Sequence, residues 1–171
     1  MQLADYQAQA LTTAEPRAFD HEYLVPAIVG EIGELFGQQA KGHWHGWPTT
    51  QLKQELALEY GDVAWGAAIL LYVEGTSVLE TKRHPVFPNM WGHPNTGWGT
   101  LLHKANNLHT FYEDLELRHL VRPEAESIWK SLEHYCHQLT GETFGTVLDM
   151  NLEKLASRAK RGVLQGQGDH R

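Results

Sequence analysis

Apolar residues recur at three- and four-residue spacing along most of the chain, and no segment shows the strict alternation of a half-buried strand. The stripe Leu24, Ile28, Ile32, Leu35 and Phe36 predicts an amphipathic helix over roughly residues 20–41, stopped by Gly42. Leu52, Leu56, Tyr60, Val63, Ala67 and Leu70 predict a second helix, capped by Thr49 or Thr50 and ending near Gly75. A third is expected from about Trp98 to His119 on Leu101, Leu102, Ala105, Leu108, Tyr112 and Leu115. Pro123 is placed to open a fourth that runs through Leu139 and breaks at Gly141, and Phe144, Val147, Leu148, Leu152 and Leu155 mark a fifth over about 142–161. Lys41 to Pro48 reads as a loop, and residues 82–99, dense in Pro and Gly, as a longer one. The expected fold is all-α: a bundle of about five helices with a four-helix core, in which facing helices can hold a polar site.

A chain of 171 residues is the size of one domain with one core. Its net charge of −7 disfavours a nucleic-acid partner, which requires a basic face. The longest strongly apolar run, Ala67 to Val73, is too short to cross a bilayer, so no membrane partner is expected. Cys136 is the single cysteine, which fits a reducing, cytoplasmic location. Charge is unevenly spread, however. From residue 151 onward Lys154, Arg158, Lys160, Arg161 and Arg171 face only Glu153 and Asp169, so the basic end of an acidic chain is a candidate phosphate-binding segment.

Two acidic motifs carry the chemistry. Glu31-x-x-Glu34 and Glu59-x-x-Asp62 each place two carboxylates on one helix face, and both pairs border the apolar stripes. Carboxylates turned partly inward lose hydration and repel one another, a cost that a hard divalent cation offsets. Four oxygen donors without His or Cys favour Mg²⁺, with Mn²⁺ as a substitute, over zinc. The plainer reading, a solvated acidic face, applies to any single pair: Glu113-x-x-Glu116 shows how easily the spacing arises.

The ordered set is more specific. Val29-Gly-Glu-Ile-Gly-Glu-Leu35, Gln54-Glu-Leu-Ala-Leu-Glu-Tyr-Gly-Asp-Val-Ala-Trp65 and Asn151-Leu-Glu-Lys-Leu-Ala-Ser-Arg158 resemble the three motifs of MazG-like nucleoside triphosphate pyrophosphohydrolases. The opening Asp5-Tyr-Gln7 and the ending from Arg161 to Arg171 resemble the phage-borne and bacterial branches of that family. The chemistry requires one carboxylate to take a proton from the attacking water, and we expect Glu34 in that role with Glu59 also catalytic, each of the four acids being suited to ligand, base or both. The resemblance implies metal ligation by Glu31, Glu34, Glu59 and Asp62. Phosphate or sugar would be held by Lys41, Asn151, Lys154, Arg158, Arg161, Asp169 and Arg171. It implies cleavage of a nucleoside triphosphate between the α and β phosphates, and it is compatible with a homo-oligomer such as a dimer. A catalytically silent nucleotide-binding protein of the same fold is the alternative. A di-iron bundle would want Glu-x-x-His instead.

Short members of that family lack an equivalent of residues 76–141. The two helices expected there repeat the order of the first two, and laying Leu101–Leu108 on Ile28–Leu35 sets Lys104 opposite Glu31 and Asn107 opposite Glu34. We read the segment as an inserted or internally duplicated hairpin that completes the bundle, its carboxylates lost. His43, Trp44 and Trp47 sit after the first acidic helix, where their rings are candidates to stack on a base. Trp91 and Trp98 read as anchors of the long loop, Cys136 as a core residue, and His134 and His137 as surface or packing residues rather than zinc ligands.

Overall fold

The structure is a computed structural model that describes residues 3–81 and 97–161. Among the described residues there are six α-helices and no strands: α1 (Leu3–Thr13), α2 (His21–His45), α3 (Thr49–Val73), α4 (Gly97–Glu113), α5 (Val121–Thr140) and α6 (Phe144–Lys160). Two short 3₁₀ turns, Pro16–Phe19 and Arg118–Leu120, lead into α2 and α5.

The two long antiparallel hairpins, α2–α3 and α4–α5, face each other. In that arrangement α2 packs on α4 and α3 packs on α5, giving a four-helix core with α1 and α6 laid against α3. A single cluster of buried apolar side chains runs from Tyr6 through Leu24, Tyr60, Leu70 and Leu108 to Trp129 and Leu148. Helix α3 is central, and its length and hydropathy match a membrane span. Its most apolar stretch is 72% buried inside the bundle, which is the reason for that composition.

The structure departs from the periodicity at element ends. Helix α2 does not stop at Gly42: Lys41 to His45, expected as a loop, forms its last turn, and Gly46 closes it in the left-handed conformation at φ 63°. A mid-helix glycine costs about 1 kcal/mol relative to alanine. Here it is required by packing, since a Cβ at Gly42 would come within 2.7 Å of the Leu52 side chain on α3. Neither Thr49 nor Thr50 caps α3, whose N-cap is Pro48. Helix α4 ends at Glu113 rather than His119, because the Asp114 carboxylate accepts the Glu116 N–H at 2.9 Å and turns the chain outward. Leu115 is therefore 77% exposed, and Glu116 lies beyond the helix, so Glu113 and Glu116 share no helical face.

Helix α1 is the element the apolar spacing does not reveal. Gln7 explains its place: its amide donates to Ala68 O at 3.0 Å and Thr76 O at 3.4 Å and accepts from Val78 N at 3.2 Å, which ties α1 to the C-terminal end of α3.

Candidate functional site

Helices α2 and α3 bring three carboxylates together. Oxygen atoms of Glu31, Glu34 and Glu59 lie within 4.8 Å of one another, with Glu59 buried, Glu31 half-buried and Glu34 exposed. Among the described residues no other trio of acidic, His or Cys side chains converges in this way. The i, i+3 spacing stacks Glu31 over Glu34, and the close antiparallel crossing of α3 presents Glu59 to both. Close crossing has a local cause: a Cβ at Gly66 would meet Ile28 at 2.7 Å, so only glycine allows this separation.

The electrostatics follow from this crowding. Burial, then the charges of Asp62, Glu34 and Glu59, push the Glu31 carboxyl up to about 7, against the opposing pull of Lys154. Asp62 is raised by burial, offset mainly by Lys154 and also by Arg158. The donor set fits a hard dication: all ligand atoms are carboxylate oxygens, and the mutual repulsion is relieved by a positive charge between them. Glu31, Glu34 and Glu59 would hold such an ion, each through a carboxylate oxygen.

Asp62 stands beside the trio and is engaged elsewhere. Its Oδ1 accepts from Asn151 Nδ2 at 2.8 Å, and its Oδ2 accepts from Lys154 Nζ at 2.6 Å. Asn151 Oδ1 in turn accepts the Tyr6 hydroxyl at 2.9 Å, and both residues are fully enclosed. Burial and the Asp62 charge hold the Tyr6 hydroxyl well above its ordinary value, so it remains a donor. Gly61 makes the approach of α6 feasible: a Cβ there would lie 2.8 Å from Asn151 Cβ.

Other expected site residues divide cleanly. Lys41 does not reach a carboxylate among its described hydrogen bonds but donates to Gln38 Oε1 at 3.4 Å, and Gln38 Nε2 donates to Glu59 at 2.9 Å. Gln38 was not anticipated, although it lies four residues after Glu34 on the same helix face. Arg158 is near enough to act on Asp62, whereas Arg161 is exposed, its Nε–H directed at Ser157 O. Asp169, Arg171 and Trp91 fall outside the described residues.

The candidate stacking residues are not gathered at the trio. Trp44 is 86% exposed, His43 is exposed, and Trp47 stacks on His45 with centroids 6.2 Å apart. Along α2, Trp44 is ten residues beyond Glu34, about 15 Å by helical rise. Trp98 is an anchor within α4, packed on Phe36 at 5.1 Å. Cys136 is buried, and the same burial pushes its thiol up to about 11, while His134 and His137 are exposed. No family model, curated protein or solved structure matches the chain.

Proposed function

We propose that the chain is a magnesium-dependent nucleoside triphosphate pyrophosphohydrolase serving nucleotide recycling or sanitation in the cytoplasm, in line with its resemblance to MazG-like enzymes. The observation that carries the reading is the Glu31, Glu34 and Glu59 trio bordered by the Lys154 ammonium. Phosphate chemistry needs a dication to screen the phosphate charges and cations to orient them. The trio would hold the dication, and α6 carries the cationic Lys154 and Arg158.

A bound Mg²⁺ would neutralise phosphate charge and polarise the phosphorus under attack. The protein's own residues do the rest. Lys154 and Arg158 hold the phosphate chain, and buried Asn151 fixes the face of α6 that carries them. Water attacks the α phosphorus, Glu34 takes its proton, and the bond to the β-phosphate oxygen breaks, releasing a monophosphate and pyrophosphate. Glu34 suits the role because it is the exposed member of the trio, with room for an incoming water. Glu59 is held by Gln38 and serves as a ligand.

A panel of canonical, deoxy and oxidised nucleoside triphosphates, scored for pyrophosphate release with Mg²⁺, tests the reading. Release from at least one nucleotide, lost in Glu59→Ala and slowed at least about 100-fold in Glu34→Gln, is the expected outcome. Nucleotide binding without pyrophosphate release would instead identify a silent binding protein, and release that survives Glu59→Ala would dismiss the site.

A further inference from the structure

We propose that Gly30 and Gly37 are specificity-determining residues: they leave the backbone of α2 bare on either side of Glu34, so that a nucleotide lies directly against the helix with its nucleoside over Gly37. This rests on the reading of the glutamate trio as the cation site of a nucleotide hydrolase. The glycines inside α2 and α3 are of two kinds. At Gly42, Gly61 and Gly66 a Cβ would come to 2.7, 2.8 and 2.7 Å from Leu52, Asn151 and Ile28, so helix packing demands them. At Gly30, Gly33 and Gly37 a Cβ would meet no described atom within 4 Å. None of these three has a positive φ. Glycine is among the poorest residues for a helix interior, yet neither packing nor backbone conformation accounts for it here. What remains is a demand from outside the chain, made by a group that must approach the α2 backbone closely.

Their place on the helix says which group. Residues three and four apart are neighbours on one helix face. Gly30 precedes Glu34 by four residues and Gly37 follows it by three. The exposed carboxylate of the trio therefore has no side chain one turn before or after it on its own face. The convergence of Glu31, Glu34 and Glu59 is the independent sign that a ligand sits there. Gly33, by contrast, lies about 100° around the axis from Glu34. The Lys154 charge acts on Glu31, one turn before Glu34, so phosphates drawn to Lys154 lie toward Gly30 and the nucleoside is left to Gly37. A methyl group at either glycine would stand where the nucleotide lies, and Gly33 serves as the control on the same helix.

Gly30→Ala, Gly33→Ala and Gly37→Ala are compared with the wild-type full chain by thermal melting and by titration calorimetry. The probes are Mn²⁺ and then, at saturating Mn²⁺, methylenediphosphonate and the α,β-methylene analogue of the nucleotide that releases most pyrophosphate. All three variants are expected to melt about 2–4 °C higher, because alanine favours the helix and meets no neighbour. Mn²⁺ affinity should stay within about 3-fold of wild type in each. Analogue affinity is expected to fall at least about 10-fold in Gly30→Ala and Gly37→Ala, and to hold within about 3-fold in Gly33→Ala. Diphosphonate binding should weaken in Gly30→Ala and hold in Gly37→Ala; a loss in Gly37→Ala overturns the placement of the nucleoside. Unchanged analogue affinity in both Gly30→Ala and Gly37→Ala overturns the inference and leaves the cation site standing. So does a lower melting temperature, which would mean that the fold itself needs these glycines. An equal loss in Gly33→Ala, with dissociation of an oligomer in sedimentation, makes this face a contact between copies and also overturns it. A wild-type protein that releases pyrophosphate from no nucleotide overturns the hydrolase reading itself.

Discussion

The α2–α3 and α4–α5 hairpins use one scaffold for opposite electrostatic ends. Each sets two polar residues three apart on its first helix against an acid on its second. In α2–α3 these are Glu31 and Glu34 with Glu59, all negative. In α4–α5 they are Lys104 and Asn107 with Glu124: the Lys104 ammonium lies 3.3 Å from Glu124, both side chains are more than nine-tenths buried, and Asn107 Nδ2 reaches the same carboxylate at 3.5 Å. The second hairpin carries its counter-charge within the chain, whereas the first leaves like charges crowded. Both second helices are followed by a left-handed glycine, Gly75 at φ 70° and Gly141 at φ 79°. The comparison teaches that the same three positions can hold either a self-neutralised buried cluster or a crowded set of like charges.

The largest effect should come from removing the internal counter-charge. Lys104→Met strands Glu124 in the core, which costs about 3–5 kcal/mol for a broken buried pair. At about 2–4 °C per kcal/mol for a chain of this size, thermal unfolding should fall by about 10 °C. Adding Glu124→Leu should restore much of the loss, since the stranded charge is then gone. A single variant as stable as wild type would break the contrast between the hairpins.

The opposite operation on the first hairpin should have the opposite sign. Glu59→Gln in chelator-treated protein relieves repulsion while keeping an acceptor for Gln38, so the melting temperature should rise or hold. A fall like that of Lys104→Met would show that the trio is not a store of unfavourable charge.

Acidity sharpens the same point. Glu31 titrates near 7 in the folded chain against an ordinary 4.5. Between those values the folded chain keeps a proton that the unfolded chain has released, so stability falls as pH rises from about 4.5 to about 7. Asp62, raised in the same direction, adds to the slope. Thermal melts of chelator-treated protein at pH 5 and 7.5 should show the decline, Mn²⁺ should reverse it at pH 7.5, and Glu31→Gln should flatten it. Smallest should be Gln38→Met, which removes the donor that orients Glu59. Its expected cost is about 10-fold in Mn²⁺ affinity, with melting little changed.

Periodicity made five of the six helices and the all-α class legible, because each of those helices shows the core a stripe of apolar side chains at 3.6-residue spacing. Gly141 and Gly75 were readable as stops for a local reason, the left-handed backbone each adopts. Gly42 gave the wrong signal because its role is tertiary: it makes room for Leu52, which no local pattern records. Helix α1 was missed because what fixes it is the Gln7 amide, bonded to backbone 61 and more residues away.

For the site, spacing alone pairs Glu31 with Glu34 and Glu59 with Asp62, since i, i+3 is a property of any helix. Only the tertiary structure decided which acids converge. Asp62 has the same spacing from Glu59 as Glu34 has from Glu31, yet its partners lie 89 and 92 residues along the chain and draw it to α6. A helix fixes the direction of a side chain through its own short repeat. What that side chain meets depends on which helix packs opposite, and here that was settled by glycines small enough to let α6 and α2 close on α3.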